Sequence, residues 1–258
     1  MIIRPPAVAG MFYPDDPQRL RATVTGLLDS APAEPRLQAA LGYVVPHAGY
    51  PYSGSTAALG YAQLRTQPPR RVLLLGPAHR VPLRGMALSP ADRFATPLGE
   101  VHVDQDLRER LAPYAVTSAE AHAAEHALEV QLPFLAVVAP QASVLPVVVG
   151  QADPATVADA IEAGLGADDT LLLISSDLSH HHPYQQARQI DQHTIAQITA
   201  REPVSSEQAC GAAPLNGALE TARRHDWTMT LLGACNSGDT AGDHSRVVGY
   251  ATFRIDHA

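Results

Sequence analysis

The chain contains no lysine. All 18 of its basic residues are arginine, set against 26 acidic ones, and the formal net charge is -8. That balance argues against a nucleic-acid partner, which would need a basic face to displace counterions from the phosphates. The exclusive use of arginine is most simply a coding bias. Cysteine is scarce as well: Cys210 and Cys235 are the only two, too few for a disulfide framework or a four-thiolate zinc site. No run of 18 apolar residues occurs, so no spanning helix and no membrane partner are expected. The opening M-I-I-R-P-P-A-V-A-G lacks the basic stretch and apolar core of a secretory signal, which predicts a cytoplasmic location. H-E-x-x-H, C-x-x-C and the P-loop are all missing, and so is the G-x-S-x-G of a nucleophile elbow.

What is present suits a globular enzyme-sized body: 258 residues, 46% apolar and 17% charged. Short apolar runs alternate with helical stretches. Strands are expected over 41–45, 72–75, 86–88, 101–103, 143–150, 170–176, 228–233 and 247–255. Helices are expected over 16–28, where Asp16 caps and Pro17 suits the first turn, and over 55–64, 105–111, 125–139, 154–165, 185–199 and 214–224. Pro133 should kink or end its helix. Residues 1–14 read as an extended piece packed on the body, 31–35 as a Pro/Ala connector, and 92–100 as a hairpin or lid. No repeat and no long linker divides the chain. The pattern predicts a single α/β layered domain over 1–258, with a central, mostly parallel or mixed sheet flanked by helices.

The chemistry collects at strand ends. The stretch R-V-L-L-L-G-P-A-H-R, residues 71–80, is a buried strand stopped by Gly76-Pro77, with His79 two residues beyond. The same arrangement yields His47, the pair Asp177 and His180, and Asp239. In an open α/β sheet ligands bind beyond the carboxyl ends of the strands, so these groups should gather on one rim. Each has an ordinary alternative: a loop histidine bonded to backbone, a helix cap at Asp177/His180, a turn at Asp239. Together they point to a divalent transition metal. Two histidines and a carboxylate with open positions suit non-haem Fe(II), and zinc would accept them too.

A resemblance adds to this reading. P-H-A-G-Y (46–50) with S-G-S (53–55), L-G-P-A-H (75–79), E-H-A-L-E-V-Q-L-P-F (125–134), S-S-D-L-S-H (175–180), C-G (210–211), N-S-G-D (236–239) and V-G-Y-A (248–251) occur in the order seen in the Memo family. The chain is similar to its bacterial and archaeal branch, often called AmmeMemoRadiSam system protein B. The resemblance implies a fold like that of the class III extradiol dioxygenases and a metal cleft of that type. His47 and His79 match the family's metal histidines. The family's third ligand, a cysteine in animals, falls at Thr240, with Asp239 just before it; Asp239 is the expected ligand, because a carboxylate binds Fe(II) or Zn(II) better than a hydroxyl. Asp177 and His180 match a cleft segment, His180 as acid/base and Asp177 as orienting partner. Tyr52, Ser53, Glu125 and His126 are implied to contact substrate.

Three functions follow as expectations. The first is an Fe(II)-dependent, dioxygenase-like oxidoreductase on a small molecule, without cleavage of simple catechols. The second is a non-catalytic binder of metal, with Zn or Cu as alternatives to Fe(II), or of a peptide. The third is a hydrolase using zinc-bound water or Cys210, whose thiol at a helix start would have a lowered pKa. The branch name also implies a functional link to a radical-SAM protein.

Overall fold

Four apolar strands lie parallel and side by side at the centre: Gly42–Val45, Thr170–Ser175, Arg71–Pro77 and Ser143–Val149, in that spatial order. Val72, Leu73, Leu74 and Leu75 are all completely buried. Successive strand residues point to opposite faces, so both faces of this sheet are covered. That is why these strands read as unbroken apolar runs in the sequence. The structure, a computed structural model, describes residues 1–32 and 39–258; the 33–35 part of the expected connector lies outside them.

Among the described residues the sheet is mixed and has nine strands. Val247–His257 runs antiparallel to Gly42–Val45 and pairs along its length with Trp227–Asn236. On the other side, Met86–Leu88 runs antiparallel to Ser143–Val149 and parallel to Ala115–Thr117. His180–His182 adds a short edge segment to Val247–Val248. One group of helices, Pro17–Ser30, Tyr50–Tyr61 and Leu132–Val138, packs together; Pro154–Leu165 and Ala212–Arg224 pack on each other and on the central strands. Buried apolar residues from the central strands and from both groups of helices form one continuous cluster.

Two helices depart from expectation because of proline. The second helix is Tyr50–Tyr61, not 55–64, with Pro51 in its first turn. Proline has no N–H to lose there, so P-H-A-G-Y-P-Y begins a helix although its composition reads as loop. Likewise Pro133 neither kinks nor ends a helix over 125–139. It sits at the start of Leu132–Val138, and residues 125–128 are left as loop ahead of a short turn at Glu129–Gln131.

The N-terminal stretch is locked to that loop. Ile3–Arg4 pairs with Arg93–Thr96, which forms a hairpin with Gly99–His102. Arg4 is buried and ion-paired with Glu129, and its guanidinium also donates to the carbonyls of His122 and Glu125. Glu129, fully buried, accepts from the N–H groups of Ala7 and Val8 and from the Tyr13 hydroxyl.

His122, in the same region, is buried, and its Nε2 donates to the Ala87 carbonyl at 2.9 Å. Burial holds its pKa down at about 4. A folded pKa below the unfolded value means that the unfolded chain takes up the extra proton. The contribution is therefore fully present above pH ~6.5 and is lost as pH falls towards ~4, by at most about 3 kcal/mol. Urea unfolding between pH 7 and pH 5 should show this loss, and His122→Gln should reduce it. An identical loss in both proteins would contradict the assignment.

Candidate metal centre

The parallel register brings the strand ends together: Val45 lies beside Ser175, and Leu75 beside Ile174. The residues that follow therefore share one rim. The rings of His47 and His79 have centroids 5.1 Å apart, edge to face. His126 completes a trio of imidazoles, 4.6 Å from His79 and 5.5 Å from His47.

The tautomer of His47 follows from its neighbours. Its Nδ1 lies 2.8 Å from Ser175 Oγ. That hydroxyl donates its only proton to the Ala127 carbonyl at 2.7 Å and accepts from Gln131 Nε2 at 2.9 Å. It can only accept from His47, so Nδ1 carries the proton and Nε2 presents a lone pair. His47 is buried, and burial above all, with the nearby His79, pushes its pKa well below the usual imidazole value. It is neutral and ready to ligate.

His79 is held in the same sense by a carboxylate. Its Nδ1 lies 2.9 Å from Glu125 Oε1, and its backbone N–H donates to Oε2 at 2.7 Å. Ala127 N–H also donates to Oε1. Burial alone would raise the Glu125 carboxyl, but these bonds outweigh it and hold the pKa at about 2. An ionised carboxylate only accepts, so His79 Nδ1 is protonated and Nε2 is free. Carboxylate–imidazole pairs of this kind orient metal-ligating histidines.

A sulfur atom stands beside the two imidazoles. Cys210 Sγ lies 3.2 Å from His47 Nε2. One donor atom each from His47, His79 and Cys210 falls within 4.8 Å of the others, as does one each from His79, Glu125 and His126. In a tetrahedral zinc site a nitrogen and a sulfur ligand stand about 3.5 Å apart, from bonds of about 2.0 and 2.3 Å. The donor types and the spacing both fit a transition metal. Burial pushes the Cys210 thiol up, aided by the charge of Asp177. The lowering expected from a helix start is not found: the helix Ala212–Arg224 begins beyond Gly211, and burial dominates.

Cys210 reaches the site through its neighbour. Gly211 N–H donates to Ser176 Oγ at 3.0 Å, and a Cβ on Gly211 would stand 2.6 Å from Ser176 Cβ and 2.7 Å from the Ser175 carbonyl. Gly211→Ala should therefore push the 210–211 segment off the strand end. We expect a loss of about 1–3 kcal/mol in urea unfolding together with weaker metal binding; unchanged values of both would refute this packing role.

Asp239 is not brought to the two histidines. Its strand, Trp227–Asn236, is separated from Gly42–Val45 by Val247–His257, a displacement of about 10 Å. Its carboxylate is turned back to cap its own short helix, accepting from Asn236 N–H at 2.9 Å and from the Tyr184 hydroxyl at 2.6 Å. Thr240 is exposed and bonds the Ser237 carbonyl.

Asp177 and His180 do border the cluster. Asp177 Oδ1 accepts from His47 N–H at 2.7 Å, and Oδ2 lies 4.0 Å from His47 Nε2. Burial pushes its pKa up to about 6 against those bonds. His180 Nδ1 donates to the Leu178 carbonyl at 2.8 Å, which leaves Nε2 as a base. Burial lowers its pKa, and the charge of Asp177 opposes that. Tyr52 is exposed, and Ser53 is buried with its hydroxyl on the Ala48 carbonyl. A cavity of about 940 Å³ opens against the cluster and is lined in part by His79 and Cys210; Tyr52, Ser53, Glu125 and His126 do not line it. Ser175 and Gln131 escaped sequence reasoning, although Ser175 stands inside the S-S-D-L-S-H motif.

The family model for Memo-like protein matches residues 4–254. This chain belongs to the Memo family. Among its Memo relatives is a MEMO1 family protein of Aquifex aeolicus (strain VF5), 37% identical over 268 residues, covering 97% of this chain and 98% of the relative. MEMO1 family proteins of Sulfolobus acidocaldarius and Ignicoccus hospitalis are 34% and 33% identical, each over at least 98% of this chain and 99% of the relative. Among the described residues, no helix of this Memo chain is long and apolar enough to cross a membrane.

Proposed function

We propose that His47, His79 and Cys210 hold a divalent transition metal, Fe(II) in the first place, and that this chain uses it in a dioxygenase-like oxidation of a small molecule. One observation carries the reading: two imidazoles with their proton-bearing nitrogens turned away converge, through unprotonated Nε2 atoms, beside a thiol 3.2 Å from that of His47. When bound, iron would supply a Lewis acid and a site for O₂.

The chain's own groups have separable tasks. Ser175 and Glu125 fix the ring orientations. Asp177 holds the His47 backbone and, with a carboxyl near pH 6, exchanges a proton close to neutrality. His180, with Nε2 unprotonated, takes a proton from an entering hydroxyl. Cys210 must lose its proton to ligate, so metal uptake releases one proton and weakens as pH falls.

Anaerobic loading with Fe(II), followed by oxygen consumption across a panel of aromatic diols and hydroxy acids, tests the proposal. Consumption that falls in His180→Gln at unchanged iron content is the expected result. Tight iron binding with no consumption by any substrate would overturn the oxidative reading. The thiol donor favours the second reading in that event: a soft ligand suits Zn or Cu(I) held without turnover. A thiol kept neutral by burial is a poor nucleophile, which counts against a cysteine hydrolase.

A further inference from the structure

We propose that the cavity beside the metal centre takes a small organic anion, its charged group held by Arg80 and Arg84 and its body by apolar walls. This rests on the reading above only in placing the reacting end of the ligand near His79; the recognition of the anion stands on the cavity itself.

At about 940 Å³ the cavity is of the size that encloses small molecules, roughly 300–1,000 Å³. Pro77, Val81, Leu83, Val149 and Val204 supply apolar wall. Arg80 and Arg84 also line it. Elsewhere, Arg4, Arg65, Arg93, Arg201 and Arg224 each face a carboxylate. Arg80 and Arg84 have no such partner and no side-chain hydrogen bond among the described residues. Among the described residues, no aspartate or glutamate lines the cavity, in a chain whose formal charge is -8. An acidic protein has thus kept one concavity free of carboxylates and placed two uncommitted guanidinium groups in it.

A guanidinium is a planar fork of donors that matches the paired oxygens of a carboxylate or phosphate. Arg80 directly follows His79, and both line the cavity together with Cys210. An acid anchored there would lay its apolar body across the cavity with one end close to His79 and Cys210. Carboxylate and phosphate monoester share this chemistry.

The test is calorimetric titration of chelator-treated, full-length protein with phenylpropionate, phenyl phosphate and the neutral phenylpropanamide. The better of the two anions should bind roughly tenfold or more tightly than the amide, less so at high salt, and whichever is better names the headgroup. Arg80→Gln/Arg84→Gln, checked for folding by circular dichroism, should lose that preference. Equal binding of acid and amide, no binding of either anion at millimolar concentration, or a preference that persists in the double variant would overturn the proposal. Because the protein is metal-free, failure here leaves the metal reading intact, and failure of metal binding leaves this preference standing.

Discussion

Replacing Glu129 by alanine should cost the fold about 3–5 kcal/mol, the effect of removing one partner from a buried ion pair. Glu129 is fully buried and Arg4 nearly so. The carboxylate meets the guanidinium and three further donors, from Ala7, Val8 and Tyr13. In Glu129→Ala the arginine charge stays behind in a low-dielectric site, and those donors lose their acceptor together. Glu129→Gln keeps an acceptor and removes the charge, so it should fall between wild type and alanine. Urea unfolding gives the ranking directly. A loss below about 1 kcal/mol for Glu129→Ala would mean that the N-terminal segment releases at little cost. The effect should also reach the metal centre, because Arg4 holds the carbonyl of Glu125, the residue that orients His79.

His79→Ala or His47→Ala should lower metal affinity by roughly 100-fold or more, and Glu125→Gln by about 10–100-fold. The order of these effects carries the argument. A ligand supplies a bond, whereas Glu125 supplies the orientation and basicity of the ring that makes one. Glutamine at 125 loses the charge that keeps His79 Nδ1 protonated and Nε2 available. Competition titration with a chromogenic chelator measures all three. Should Glu125→Gln equal His79→Ala, Glu125 would itself be a ligand, as the second group of donors with His126 would allow. Unchanged affinity in the histidine variants would place the metal elsewhere.

Much of the architecture was legible in the sequence. Strands buried on both faces read as continuous apolar runs with abrupt Gly, Pro or polar ends, and Gly42–Val45, Arg71–Pro77 and Thr170–Ser175 all have that form. Their neighbouring parallel placement explains why His47, His79 and Asp177 meet. The start of Tyr50–Tyr61 was hidden because a proline in a first turn and a proline in a loop look alike. Cys210 was named as a candidate nucleophile, but its place beside the two histidines was hidden for a different reason. Cys210 reaches His47 through the seat of Gly211 on Ser176, a tertiary contact between segments 35 residues apart, and spacing along the chain carries no trace of it. Asp239 shared every local feature of the other strand-end residues. The sheet order reveals that another strand stands between its own and Gly42–Val45, and the capping bonds show its carboxylate already committed to its own helix. The Arg4–Glu129 pair left no local signature, since charged residues in apolar surroundings are usually exposed.

X-ray absorption at the metal edge of the zinc-loaded, full-length protein tests the central claim most directly. With His47, His79 and Cys210 as ligands, the spectrum should contain a single sulfur at about 2.3 Å and imidazole nitrogens at about 2.0–2.1 Å, and the sulfur shell should vanish in Cys210→Ser. A shell of nitrogen and oxygen alone in the unaltered protein would contradict it.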